Sequence, residues 1–252
     1  MKRSELLPFV ALVFAVVGMT GTAWALEIAD YGGYPDGSDT TPALNAALVD
    51  ACGGSDRTVH FLAGEYAFLT PPAPLCSAIR LVGEGDYATK LTRGYSSADF
   101  LVGYGLGIYV RDLAIWTADG TSGGIGLHLI ASDATGPGGK HVIENVRVLG
   151  GTAELPLGTF ARGIYLDGLA RSLDPIGIRA VSMRNVLLWS ATEWTAVWWN
   201  CISCEWYGGG AYQGIGTTQG IAVGGPLGTK SWIEADIDWA HSTVWSGALR
   251  TR

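Results

Sequence analysis

Charged residues are scarce in this sequence. Asp, Glu, Lys and Arg make up only 15% of its 252 residues, and the formal net charge is −7. No cluster of basic residues interrupts this acidic balance, so the electrostatic footprint of a nucleic-acid-binding protein is missing and nucleic acid is not an expected partner. Long solvated helices need more charge than this, and the 37 glycines favour strands and turns.

Long apolar runs are also missing. A membrane-spanning helix needs about 20 apolar residues, and the longest apolar run, residues 6–19, is shorter than that. It follows the basic start MKR and precedes AWA at 23–25, which is the layout of a secretory signal peptide over residues 1–25. An uncleaved anchor is the alternative. We therefore expect residues 26–252 to form a single domain, secreted or periplasmic, without membrane contact after cleavage.

Cysteine is limited to four residues, Cys52, Cys76, Cys201 and Cys204, all beyond the signal segment. An even number in an exported chain indicates disulfides, and four cysteines allow three pairings. We favour Cys52–Cys76 together with Cys201–Cys204. The sequence has neither a second Cys-x-x-Cys nor a His-x-x-His pair, so a zinc site is not expected.

One short helix is indicated near the start of the mature chain. Residues 36–39, DGSD, are typical of a turn, Thr40 or Thr41 fits an N-cap, and Pro42 follows in the first turn. The two glycines at 53–54 end the helix. Apolar residues at helical spacing predict a single apolar stripe, formed by Ala43, Leu44, Ala47 and Leu48.

The segments around this helix resemble a known fold. The series DYGGYPDGSDTTPALNAAL, TVHFLAGEYAFLTP and IRLVGEG, within residues 28–85, is similar to the N-terminal entry of the pectate-lyase-like right-handed parallel β-helix proteins. The resemblance implies an all-β, right-handed parallel β-helix whose capping region, about 26–57, places the helix over the open end of the solenoid. On this interpretation Asp36 and Asp39 are structural rather than catalytic.

Two short elements alternate along the rest of the chain, as a solenoid requires. The first is an apolar residue, a polar residue, Asn or Asp, and then alternating apolar residues; its pivots are Asp112, Asn145 and Asn185, with weaker copies at Cys204 and Asp236. The second is Gly-Ile-x-apolar, at 124–127, 163–166 and 220–223, with a degenerate copy at 195–198. Asn or Asp at a fixed point of each coil can bond the backbone of a sharp bend. A β-sandwich is the fallback fold, but it does not explain the alternation.

An acidic strand near the carboxyl end is the first candidate site. Residues 232–239, WIEADIDW, alternate with period two, so Glu234, Asp236 and Asp238 are expected on one face. Three carboxylates there could bind Ca²⁺, or could supply an acid and a base for catalysis together with His241. A solvated outer face with Asp236 as a bend residue is the alternative. Apart from this Ca²⁺, no cofactor is expected.

Aromatic and basic residues give two further candidates. Trp194, Trp199 and Trp206 belong to a Trp-rich stretch, and their rings could stack on sugars or pack in the core. Either Trp198 or Trp199 must face inward if this stretch is a strand. Arg162 and Asp167, with Arg171, form the third candidate. A lyase needs a base, often Arg or Lys, that removes the proton next to a uronate carboxylate, and Asp167 could hold a metal or act as an acid.

These observations lead to an expected function. The Asn-Thr-Asp, Asp-Asp, Gly-His-Gly and Arg-x-Lys motifs of the pectic hydrolases of this fold are absent, as are the signatures of the pectate lyases. We expect a secreted β-helix protein that acts on extracellular polysaccharide as a lyase or glycoside hydrolase. The alternatives are a non-catalytic carbohydrate-binding or adhesion module and a tailspike-like domain. The chain ends soon after a strand, so a homo-oligomer through an uncapped carboxyl end is also expected.

Overall fold

The computed structural model describes residues 25–131, 140–151, 158–168, 178–189, 191–199, 201–212, 219–224, 230–237 and 248–251. The predicted signal segment, residues 1–25, lies outside this description except for its last residue. The elements follow one another as β1 (Leu26–Glu27), a 3₁₀ turn (Ile28–Tyr31), α1 (Thr41–Gly53), β2 (Thr58–His60), β3 (Gly64–Phe68), β4 (Arg80–Val82), β5 (Thr89–Arg93), β6 (Leu101–Tyr104), β7 (Tyr109–Thr117), β8 (Ile125–Ile130), β9 (His141–Leu149), β10 (Phe160–Asp167), β11 (Ile178–Arg179), β12 (Val181–Trp189), β13 (Ala191–Trp199), β14 (Cys201–Ile202), β15 (Cys204–Tyr212), β16 (Gln219–Gly224), β17 (Lys230–Ile237) and β18 (Ala248–Thr251).

Every pair of strands in the described chain is parallel. The larger sheet has the order β1-β2-β4-β7-β9-β12-β15-β17-β18, with β5 also paired to β7 and β3 paired to β5, and the smaller sheet has the order β6-β8-β10-β13-β16. From β6 to β17 the chain passes repeatedly from one sheet to the other, so each coil adds a strand to both. Connections between parallel strands are right-handed. The chain is a right-handed parallel β-helix, which confirms the predicted fold class.

The coils of the larger sheet bend at residues in the left-handed backbone conformation. The φ angle is 55° at Asp112, 50° at Asn145 and 49° at Asn185. Asn145 Nδ2 donates to Asp112 Oδ1 at 2.8 Å, and Asn185 Nδ2 donates to Asn145 Oδ1 at 3.0 Å. These bonds join successive coils and confirm the three principal bend positions that the repeat predicts.

The prediction of bends at the two weaker copies of this element, Cys204 and Asp236, is wrong. Val186 pairs with Gly209, so Asn185 is level with Gly208, whose φ is 67°. Asp236 pairs with Gly210, which lies beyond that bend. Glycine adopts a left-handed conformation without the steric penalty of a Cβ atom, so at this coil the bend has no Asn or Asp to mark it.

The helix α1 covers the first coil, as predicted. Leu44 and Leu48 are 0% and 3% exposed and belong to the same buried cluster as Val59 of β2. Thr40 is the N-cap residue but makes no side-chain cap bond. Instead Asp39 Oδ1 accepts from the backbone N–H and hydroxyl of Thr41 and from the N–H of Leu69. Asp39 therefore joins the start of the helix to the end of β3, which is the structural role expected of it.

Both favoured disulfides are present, Cys52–Cys76 and Cys201–Cys204. The first connects the end of α1 to the segment before β4. In the described part of the chain, no helix has the length and apolar character needed to cross a membrane.

Candidate active site on the smaller sheet

The outer face of the smaller sheet carries the candidate site. Side chains alternate across a strand, and the buried residues Leu129, Leu166 and Trp198 are paired across β8, β10 and β13 on the inner face. The residues on either side of each therefore point outward. One outer row contains His128 and Tyr165, and the next contains Ile130, Asp167 and Trp199.

Four residues meet on this face, and we call them the His128 cluster: Asp99, His128, Tyr165 and Asp167. Asp99 Oδ2 lies 2.7 Å from Nδ1 of His128, and Asp167 Oδ2 lies 3.5 Å from Nε2. The first distance is a strong hydrogen bond, whereas the second is an ion pair that is too long for a well-formed hydrogen bond. The Tyr165 ring stacks on the imidazole with centroids 4.8 Å apart and planes 10° from parallel. One imidazole thus has a carboxylate at each nitrogen and a phenol against its face.

The register of the coils explains why the cluster forms. Tyr165 pairs directly with His128, so the rings stack at the spacing of neighbouring strands, about 4.8 Å. Asp99 lies just before β6, where its other oxygen, Oδ1, accepts from the N–H of Ile125 at 2.9 Å. That bond fixes the carboxylate beside the start of β8, from which it reaches His128.

The cluster perturbs the protonation of its own members. Burial alone would lower the pKa of His128, but its interactions with Asp167 and Asp99 outweigh burial and raise that pKa above its ordinary value. Burial and the charge of Asp167 raise the pKa of Tyr165 to about 12, and the charge of Arg162 opposes this rise. At neutral pH the site therefore holds a protonated phenol, and it favours an imidazolium between two carboxylates.

Arg162 extends the cluster at the start of β10. Its Nε donates to Glu193 Oε2 at 3.0 Å, and its Cζ lies 5.0 Å from the centre of the Tyr165 ring. Trp194, half-buried, is its register partner on β13. Arg162 thus places a cation, itself paired with Glu193, beside the phenol.

Exposed aromatic residues lie on either side of the cluster. Asp167 pairs with Trp199 on one side and with Ile130 on the other, and Ile130 pairs with Tyr104. Trp199 is 39% exposed and Tyr104 is 49% exposed. This row runs along the solenoid axis for three strand spacings, or about 14 Å, which is long enough to contact several sugar rings.

The structure brings together four of the predicted site residues: Arg162, Asp167, Trp194 and Trp199 lie on the adjacent strands β10 and β13. Trp206 does not join them, because it is fully buried, its ring is 6.4 Å from that of Trp198, and its Nε1 donates to the Gly208 carbonyl. Two roles were considered for the Trp-rich stretch, and Trp206 has the second: it packs in the core. Trp198 faces inward and Trp199 outward, as alternation requires.

The predicted acidic site falls largely outside the described residues. Glu234 and Asp236 lie on β17, paired with Tyr207 and Gly210, but the structure describes only their backbone. Asp238, His241 and Arg171 lie outside the described residues altogether. The catalytic and Ca²⁺-binding roles expected at this strand remain predictions. Among the side chains that the structure does describe, no group of three or more His, Cys, Asp and Glu is arranged to hold a metal ion.

Sequence reasoning missed Asp99, His128 and Tyr165. They are separated in sequence, and no local motif joins them. One signal was present: the otherwise apolar Gly-Ile strands GIGLHLI and GIYLD contain only three titratable residues, His128 in the first and Tyr165 and Asp167 in the second. Polar residues at outward positions of adjacent solenoid strands are expected to meet.

Comparison with known proteins identifies similar folds. No family model matches the sequence, and no curated protein matches it. Among solved structures, the A-module of mannuronan C-5 epimerase AlgE6 from Azotobacter vinelandii is 15% identical over 84% of this chain, with a TM-score of 0.47. This chain spans 62% of that module's length. The AlgE4 A-module of the same organism is 14% identical, with 90% of this chain and 91% of that chain covered and a TM-score of 0.33.

A third solved structure, ORF18 of Geobacillus virus E2, is 13% identical. The comparison covers 84% of this chain and 61% of that one, with a TM-score of 0.25. At these identities the similarities concern the fold alone.

Proposed function

We propose that this protein acts on an extracellular polysaccharide and removes a proton next to the carboxylate of a uronic acid residue, as a lyase does. The observation that carries the proposal is the His128 cluster, in which the Tyr165 phenol, with a pKa of about 12, lies close enough to Asp167 for that charge to raise the pKa. Acid–base groups in contact, with perturbed protonation and on an outer face, are typical of catalytic sites. This role of Asp167 and Arg162 develops the third sequence candidate.

In this proposal Asp167 is the base and Tyr165 the acid. The Asp167 carboxylate takes the proton from the carbon that bears the substrate carboxylate, and the electron pair forms a carbon–carbon double bond as the glycosidic bond breaks. Tyr165 donates its proton to the leaving oxygen. The proton then passes from Asp167 to the Tyr165 phenolate, which restores both groups.

The remaining groups support this pair. Nε2 of His128 is buried, so the imidazole does not meet the substrate itself; its ion pair with Asp167 keeps that carboxylate in place. Arg162, beside Tyr165, neutralises the carboxylate of the sugar, which makes the neighbouring proton easier to remove.

The geometry fits hydrolysis less well. Glycoside hydrolases place two carboxyl groups on either side of the scissile bond. Here Asp99 and Asp167 are held at the two nitrogens of one imidazole ring, and Asp99 is further bound by the Ile125 N–H. The pair therefore flanks a side chain of the protein instead of a sugar.

The substrate is expected to lie along the solenoid axis between Tyr104 and Trp199, whose rings supply apolar contact to sugar faces. The apolar start of the sequence and the two disulfides support an exported protein. A polymer outside the cell is thus the proposed substrate.

The test uses the mature protein with a panel of polyuronates and neutral polysaccharides, with Ca²⁺ and with a chelator. Absorbance of the unsaturated product is followed alongside reducing ends. We expect product from a polyuronate, loss of at least about 100-fold in kcat for Tyr165→Phe and Asp167→Asn, and a raised KM for Trp199→Ala. Tyr207→Phe, which changes an exposed tyrosine of the larger sheet, is the matched control.

Turnover that survives both Tyr165→Phe and Asp167→Asn would refute the role of the cluster. Solvent deuterium that enters the polymer without chain cleavage would show that the proton is abstracted and returned, so the enzyme would be an epimerase rather than a lyase. Activity abolished by the chelator would direct attention to the acidic strand at Glu234.

A second candidate, a non-catalytic binding module, is favoured by one observation on the larger sheet. Trp116, Leu149, Trp189 and Tyr212 are successive register partners on its outer face, and the rings of Trp189 and Tyr212 lie 5.6 Å apart. Such a row could contact a sugar polymer without chemistry. Retention on a polysaccharide affinity gel without turnover, lost in Trp189→Ala, would support this role.

A further inference from the structure

Arg93, the last residue of β5, is a fully buried cation that bonds no carboxylate among the residues that the structure describes. Its side chain is 0% exposed, and its guanidinium donates to backbone carbonyls: Nη1 to Gly123 at 2.5 Å and to Ala98 at 3.1 Å, and Nη2 to Thr159 at 3.0 Å. The ring of Phe160 lies 4.5 Å from Cζ. Burial lowers the pKa of Arg93, yet an arginine remains charged in proteins.

The three carbonyls belong to three successive coils. Each lies in the connection that leads from the larger sheet into a strand of the smaller one: Ala98 before β6, Gly123 before β8 and Thr159 before β10. Those connections and strands carry the whole His128 cluster. Ala98 immediately precedes Asp99, and the other two carbonyls precede the strands of His128 and of Tyr165 and Asp167.

We propose that Arg93 is a positioning residue for the His128 cluster: its planar guanidinium sets the relative height of the three connections along the solenoid axis and so brings Asp99, His128 and Tyr165 into contact. A catalytic role for that contact rests on the function proposed above, but the positioning itself does not. Arginine suits the task because its donors have fixed directions. Lysine could keep the charge but could not reach three carbonyls with the same geometry.

The packing around Gly124 supports this proposal independently. Gly124 has a φ of +66°, and a Cβ atom there would lie 2.1 Å from the Ala98 carbonyl oxygen and 2.7 Å from Nη1 of Arg93. The backbone therefore comes closest to the guanidinium at the point where the connections of Asp99 and His128 meet. Tyr95 adds a further restraint, since its hydroxyl donates to the Asp99 carbonyl at 3.1 Å.

Two variants disturb this contact in different ways. Arg93→Lys keeps the charge and loses the fork of donors. Gly124→Ala keeps Arg93 but forces a methyl group between it and Ala98. Gly120→Ala is the matched control for the second variant, because Gly120 has a similar φ of +73° with nothing within 4 Å of an added Cβ. Arg57→Lys is the control for the first, since within the described residues the Arg57 side chain donates to a single carbonyl, that of Ser77, at 2.6 Å.

The experiment titrates the His128 imidazole by NMR in the full mature protein and measures thermal unfolding of the same samples. We expect Arg93→Lys and Gly124→Ala to lower the His128 pKa by about one unit, because the bond to Asp99 is weakened while burial persists. Neither control variant should change it. If the polymer assay is positive, kcat should fall at least about tenfold with little change in KM.

The outcomes separate the two proposals. An unchanged His128 titration in folded Arg93→Lys and Gly124→Ala would overturn the positioning role, even if both proteins melt earlier. A lowered His128 pKa in a protein without activity on any polymer would support the positioning role and count against the proposed function. If Arg93→Lys does not fold, Gly124→Ala against Gly120→Ala decides the matter.

Discussion

Acidification should destabilise this protein through His141, a buried neutral imidazole that is not part of the His128 cluster. His141 begins β9 and is 2% exposed, and its Nδ1 accepts from the N–H of Ile108 at 3.3 Å. Burial lowers the pKa of His141 from 6.5 to about 4. A proton on Nδ1 would also remove the acceptor for Ile108, so the folded state excludes the charged form for two reasons.

The size of the effect follows from proton linkage. The folded pKa of His141 is depressed, so between pH 6.5 and 4 the unfolded chain binds a proton that the folded chain does not, and stability falls as the pH falls. From pH 6.5 to pH 5 this amounts to 1.5 pH units at 1.36 kcal/mol each, or about 2 kcal/mol. The loss approaches about 3.4 kcal/mol near pH 4, where the folded imidazole also begins to titrate.

The assay compares wild type with His141→Asn. The amide oxygen of Asn can accept from the Ile108 N–H, but the side chain does not titrate. We expect the variant to be less stable at pH 7 because it fills less space, whereas its loss in free energy of unfolding between pH 7 and pH 5 should be smaller by about 2 kcal/mol. Urea unfolding at both pH values gives the two differences, and an NMR titration of His141 gives its folded pKa directly.

His128→Asn provides a comparison of opposite sign. The folded pKa of His128 is raised, so its stabilising contribution is fully present below pH 6.5 and is lost as the pH rises through the folded pKa. Its removal should therefore steepen the loss on acidification. Equal pH dependence in wild type and His141→Asn, or an imidazole of His141 that titrates near pH 6.5, would refute the reasoning.

Three further predictions concern the scaffold. Cys52→Ser, which opens the bridge to Cys76 across a sequence separation of 24, should lower the free energy of unfolding by about 2–4 kcal/mol; thermal melts with reductant should abolish the difference from wild type. Leu48→Ala should cost about 2–5 kcal/mol in urea unfolding because it leaves a cavity under the cap, whereas Val49→Ala, at a residue 72% exposed, should stay within about 0.5 kcal/mol. Asn145→Ala loses the bonds to the neighbouring coils in a left-handed conformation and should cost about 1–3 kcal/mol; if Asn145→Gly is no better than Asn145→Ala, backbone strain is not the cause.

The sequence was informative wherever a structural role is local. The capping helix follows from one apolar stripe and its flanking turn residues. The predicted export signal and the even number of cysteines indicated disulfides, although the number alone allows three pairings. The bends at Asp112, Asn145 and Asn185 were predictable because an Asn or Asp side chain marks them. The next bend was not, since Gly208 needs no polar side chain to adopt the same conformation.

The site could not be predicted in the same way, because it depends on the register between coils. Aligning the Gly-Ile elements at 124–127 and 163–166 places Ile125 beside Ile164, but the structure pairs Ile164 with Leu127. A two-residue error of this kind leaves every side chain on its correct face. The pattern of apolar residues therefore predicts which face His128 and Tyr165 occupy but does not show that they meet.

The fold therefore tolerates an error in strand register that the site does not. A two-residue slip of β8 against β10 would keep apolar residues inward and so preserve the character of the core, but it would separate the ring of His128 from that of Tyr165. The core thus restrains the register only through the shapes of its side chains. A polar contact that spans several coils is needed to fix the register that the hydrophobic pattern leaves open. Arg93 has the required placement, because its bonds to Ala98, Gly123 and Thr159 can all be satisfied at only one relative height of the three connections. A buried charge without a bonded counter-ion is costly for stability alone, and its location at the entrance to the strands of the His128 cluster gives that cost a functional explanation.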